Sequence, residues 1–104
     1  MRVYIIPAQA MHHAHDIDDH LAIQSLQSIV DGFIQPCAPA QLRDKGIELL
    51  CNEEGLLRDL KVNINMFPFF FVGNLVAVGV GDEDFVSLTP EQEGYLKRWL
   101  ENLP

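Results

Sequence analysis

The chain has 104 residues, with 7 Lys+Arg against 15 Asp+Glu and a formal net charge of −8, which bounds it to one domain with a radius of gyration of about 13 Å. At 48% hydrophobic and 21% charged, it can bury a core and is not disordered by composition. The anionic balance argues against nucleic acid as a partner, because a duplex needs a cationic face to neutralise its phosphates.

Arg2 to Pro7 (RVYIIP) is rich in β-branched and aromatic residues and reads as an opening strand ended by Pro7. Ala8 to Met11 connects it to a second strand at His13 to Ile17, pairing back on the first. Asp18 and Asp19 are N-cap candidates, and the apolar stripe through Ala22, Leu26, Ile29 and Val30 predicts a helix over about 19–31. Gly32 is expected to supply the left-handed cap at its end. Phe33 to Cys37 and Ile47 to Cys51 read as strands around the polar connection Pro39 to Gly46, and a hairpin would let Cys37 and Cys51 face each other. Asn52 to Gly55 is a turn in which Gly55 takes the left-handed position, and Leu56 to Leu60 resumes an apolar run.

Phe69 to Val72 and Leu75 to Val80 flank Gly73-Asn74, which predicts a two-residue hairpin. Val76, Val78 and Val80 alternate with Ala77, Gly79 and Gly81, so one strand face is branched and the other small. Small residues there serve close packing or leave room for a ligand. After the acidic turn Gly81 to Asp84 and a short strand at Phe85 to Leu88, Thr89-Pro90-Glu91-Gln92 carries a capping box with Pro at the first helical position. A second helix is predicted over about 90–102. Strand runs joined by tight turns, with two helices, make a mostly antiparallel α+β domain spanning 1–104.

The apolar run Val3 to Ile6 is too short for a signal-peptide core, and no stretch reaches the ~20 apolar residues of a membrane helix. Two cysteines are fewer than a secreted scaffold of this size carries, so reduced thiols in a cytoplasmic protein are expected. There is no phosphate-binding glycine loop, no serine elbow and no spaced cysteine pairs. Cys51 beside two acids is a poor nucleophile. The expectation is therefore a protein without catalytic residues.

Three stretches together resemble a known family. They are Leu26 to Ile34 (LQSIVDGFI), Leu50 to Leu57 (LCNEEGLL), and Gly73 to Gly79 (GNLVAVG) with Ser87 to Gln92 (SLTPEQ). The chain in these parts is similar to domain-of-unknown-function family 3846, small proteins of phages, plasmids and their bacterial hosts. Asp31 stands where that family usually has a glycine, and Ile64, after the matching Asn63, replaces a residue that is often basic. The resemblance implies a small α+β fold, a mobile-element setting and a bacterial cytoplasm. It assigns no catalytic residues.

Two clusters are candidate sites. Asn52, Glu53 and Glu54, with Asn63 nearby in sequence, form a polar group for a ligand or for a partner's basic residue; the same residues are what a tight turn requires. His13 and His15 share one face of a strand, and Asp19 or His20 could complete a site for a divalent metal such as zinc, nickel or copper; otherwise the segment is a solvated, titratable loop. No other cofactor is implied. Phenylalanines at 67, 69, 70 and 71 make both faces of their strand apolar, and covering both within so small a domain is hard. That predicts homodimerisation through Phe67 to Val80. The leading expectation is a non-enzymatic, acidic accessory protein that binds a host protein, in a counter-defence or host-takeover role. The alternatives are a small-ligand binder that sequesters a nucleotide-like signal over the small face of Val76 to Val80, with cations drawn from Arg2, Arg43, Lys45, Arg58 and Lys61, and a His-rich metal-binding protein.

Overall fold

The computed structural model describes residues 1–66 and 68–104. Strands β1 (Arg2–Ile6) and β2 (His13–Asp16) come first, followed by a 3-10 turn (Asp19–Leu21) and helix α1 (Ala22–Val30). Next are β3 (Ile34–Pro36), the short helix α2 (Ala40–Arg43) and β4 (Ile47–Asn52). The chain ends with β5 (Val62–Met66), β6 (Phe69–Val72), β7 (Leu75–Val80), β8 (Phe85–Val86) and α3 (Pro90–Glu101). The main sheet has the order β2-β1-β7-β4-β3, and β8 pairs with the end of β7. All its pairings are antiparallel, so the α+β reading holds. The radius of gyration is 12.7 Å.

Period-two alternation along β7 divides its side chains between two cores. Val76 and Val78 point to one face and pack with Val3, Leu50, and Leu26 and Val30 of α1. Leu75 and Ala77 point to the other, with Leu49, Leu42 of α2, Ile64 of β5 and Leu96 of α3. Both faces of the sheet are thus covered from within the chain. In β7 itself, Leu75 to Val78 are fully buried, whereas Phe70 on β6 is half exposed. Phe67 and the side chain of Phe69 lie outside the described residues.

The expected hairpin across Gly73-Asn74 does not form. β6 pairs with β5 in a separate two-stranded sheet, whereas β7 pairs with β1 and β4. With both edges of β7 occupied, β6 has no free ladder there, and the chain changes sheets at Gly73 (φ 74°). Two other turns also differ. The left-handed residue that ends α1 is Asp31 (φ 60°), and the Gly32 amide donates to the Gln27 carbonyl at 3.0 Å. Gly32 is instead required by crowding: a Cβ there would stand 2.5 Å from Nδ2 of Asn52. In the second turn the positive φ falls on Asp59 (54°), while Gly55 is buried where a Cβ would meet Val72. Leu56 and Leu57 are exposed on that turn rather than in a strand.

Helix α3 forms as its local sequence dictates. Thr89 Oγ1 accepts from the Gln92 amide at 3.1 Å, and the Gln92 side chain accepts from the Thr89 amide at 2.9 Å. The predicted first helix begins later than expected, at Ala22, after a 3-10 turn whose cap is Asp18.

Candidate functional site

A groove of about 900 Å³ opens between the start of α1 and the β7–β8 turn. One wall is Asp19, His20 and Ile23; the other runs from Val80 through the acidic turn to Val86. The turn is closed by the Gly81 amide donating to the Asp84 carbonyl at 2.9 Å. Gly81 is needed there because a Cβ would meet Val86 Cγ1 at 2.9 Å. Ile23, Val80 and Val86 are each about half exposed (50%, 49% and 43%), so the groove is apolar between its acidic sides.

Asp19, Asp82, Glu83 and Asp84 line this groove with the Met1 ammonium, and no Lys or Arg does. Among the described residues, Asp82, Glu83 and Asp84 take part in no ion pair. Other acids are neutralised within the chain: Glu93 and Asp16 by Arg2, Glu48 by Arg43, and Asp31 by Arg58. Asp19 Oδ1 lies 2.7 Å from the Met1 ammonium, a hydrogen bond and charge pair that hold its carboxyl below the usual aspartate value. The acidic turn was legible as four residues, but not as one wall of a groove.

The predicted polar cluster has a structural explanation. Asn52 is buried; its Nδ2 donates to the carbonyls of Val30 (3.0 Å) and Asp31 (2.9 Å), and its Oδ1 accepts from the Glu54 amide (2.8 Å). It therefore satisfies the last carbonyls of α1 and holds its own turn. Asn63 Nδ2 donates to the Ile6 carbonyl (2.7 Å) and the Gly73 carbonyl (2.8 Å), tying the small sheet to the end of β1. Glu53 and Glu54 are exposed beside Asn52. Both side-chain amides are thus committed to backbone.

His13 and His15 do share a face of β2, with ring centroids 6.3 Å apart. Asp19 is held by the Met1 ammonium, and His20 lines the groove. Among the described residues, no group of three His, Cys, Asp or Glu is arranged to hold a metal ion, so the proposed His13, His15, Asp19 and His20 set is not assembled. The neighbouring His12 has another role: its Nδ1 is hydrogen-bonded to the Tyr4 hydroxyl at 2.6 Å.

The small face of β7 is filled. Ala77 is fully buried, and a Cβ on Gly79 would stand 2.7 Å from the Ser87 carbonyl oxygen. Close packing explains the small residues at these two positions. A second cavity of about 320 Å³ lies elsewhere, lined by Pro7, Ala10 and Asn74 with Lys61 and Asp31. Sequence reasoning also missed Glu48, buried at 8% exposure, which accepts from the Ala38 amide (2.8 Å) and the Leu49 amide (3.1 Å) as well as Arg43.

Among the described residues, no helix is long and apolar enough to cross a membrane. The family described as domain of unknown function DUF3846 matches residues 1–101. No curated protein and no solved structure matches the chain.

Proposed function

The chain belongs to the DUF3846 family, and from that premise we propose that it is a non-enzymatic binding module whose groove takes a basic segment of a partner protein. The single observation that carries this reading is the groove's composition: the unpaired carboxylates Asp82, Glu83 and Asp84, with no lining Lys or Arg, beside half-exposed Ile23, Val80 and Val86. An apolar side chain of the partner would remove those three residues from water, at about 25 cal/mol per Å² buried. Flanking Lys or Arg residues would pair with Asp82, Glu83 and Asp84. A net charge of −8 steers such a partner inward and repels nucleic acid. In a phage or mobile-element setting the partner is a bacterial host protein that handles nucleic acid, since such proteins carry cationic surfaces. The role is counter-defence or host takeover in the bacterial cytoplasm.

The test is affinity capture from bacterial lysate with the wild-type protein and with an Asp82→Lys/Glu83→Lys/Asp84→Lys variant. The expected result is a partner retained by the wild type, lost with the variant and released as salt rises from 0.1 to about 1 M, where the Debye length falls from about 10 to about 3 Å. Protection of a Lys/Arg-rich partner segment from proteolysis would locate the contact. Retention of the same proteins by the variant would remove the groove from the function.

A further inference from the structure

Cys37 directly follows β3, the outermost strand on one side of the main sheet, and Cys51 lies on β4 beside it. Gln35 faces Cys51 in the register, and the Cys37 amide donates to the Leu49 carbonyl at 2.8 Å, so the pairing continues past Pro36. Period two then places both cysteines on one face, as a cross-strand diagonal pair. The two thiols influence each other's titration, and Cys51 Sγ donates to the Gln35 carbonyl at 3.4 Å. Both are free and half-buried. Two half-buried thiols on one face of paired strands can be joined once the edge strand β3 shifts toward β4, and the edge position admits a reagent.

We propose that Cys37 and Cys51 form a redox-active dithiol, which a low-molecular-weight disulfide of the glutathione class oxidises to a bond joining β3 to β4. The Cys51 thiolate attacks one sulfur of the reagent, forming a mixed disulfide and releasing one reagent thiolate, which takes up a proton. Cys37 then loses its proton to solvent and attacks the Cys51 sulfur, expelling the second reagent thiol. The protein gives up two electrons and two protons, and the reagent disulfide becomes two thiols. The order follows from the local chemistry. The Cys37 thiol is the largest cause lowering the Cys51 thiol, against burial and Glu48, which raise it. The same interaction, then burial and the Cys51 and Glu48 charges, pushes Cys37 up. Capping Cys51 removes that interaction and its charge, so Cys37 becomes the more acidic only at the step where it must attack.

The experiment treats the reduced full-length protein with excess oxidised glutathione at pH 8, followed by intact mass and peptide mapping. Loss of two hydrogens with one Cys37–Cys51 linked peptide is expected. Cys37→Ser should accumulate a single glutathione adduct on Cys51, and Cys51→Ser should react about tenfold more slowly. In the unmutated protein, limiting iodoacetamide should label Cys51 about tenfold ahead of Cys37. Two thiols left unmodified, a reaction that stops at the mixed disulfide, or equal labelling of the two cysteines would overturn the proposal.

Discussion

Replacing Asn52 separates a structural amide from one kept for a ligand. Asn52→Ala removes three hydrogen bonds, two to carbonyls at the end of α1 and one from the Glu54 amide. At about 1 kcal/mol net for each bond, the loss is about 3 kcal/mol. With an unfolding entropy of about 2.1 cal/mol/K per residue, a chain of this length loses about 14 °C in Tm. Asn52→Asp is closer in shape but should cost about 1 kcal/mol or more beyond Asn52→Ala. Its second oxygen would face the Val30 and Asp31 carbonyls in a buried site, where Nδ2 now donates. The assay is urea and thermal denaturation of both variants, followed by a double-mutant cycle with Gly32→Ala. A Cβ at residue 32 lies 2.5 Å from Nδ2, so Gly32→Ala should cost about 2 kcal/mol alone and clearly less once Asn52 is alanine. An Asn52→Ala protein within 1 kcal/mol of wild type, an Asn52→Asp protein more stable than it, or strict additivity with Gly32→Ala would refute the argument.

Asn63→Ala should lose about 2 kcal/mol, because two short bonds to the Ile6 and Gly73 carbonyls go together; faster amide exchange confined to β5 and β6 would locate the effect. Gly79→Ala places a methyl 2.7 Å from the Ser87 carbonyl oxygen and should cost about 2 kcal/mol by forcing β8 off β7, read as a lower urea midpoint with unchanged slope. The Asp19 carboxyl is held low by its hydrogen bond to the Met1 ammonium. A depressed carboxylate stabilises the fold above its unfolded value, and that contribution disappears as pH falls through the folded value. Melting temperature should therefore fall across the acid range less steeply in Asp19→Asn than in wild type, and the difference should shrink in high salt, since the side chain is exposed.

What the residues determined alone is what depends on near neighbours along the chain. The Thr89–Gln92 box is complete within four residues, so α3 starts where its sequence places it. The β1–β2 hairpin, the antiparallel α+β class and the identity of the family followed from similarly short patterns. Positive φ was assigned to glycine by type, and in two turns the structure gives it to Asp31 and Asp59. Gly32 and Gly55 are glycines because Asn52 and Val72, distant in sequence, leave no room for a Cβ. Gly73-Asn74 has hairpin chemistry, yet β1 and β4 already occupy both edges of β7, so the turn changes sheets. Asn52 looked like a ligand residue because its hydrogen-bond partners on α1 are invisible until that helix is docked. The groove between α1 and the β7–β8 turn has the same origin: it brings together chain segments whose separation only the packed sheet closes, and a cavity belongs to that packing rather than to either segment. The facing of Cys37 and Cys51, by contrast, followed from the two strands around a short connection.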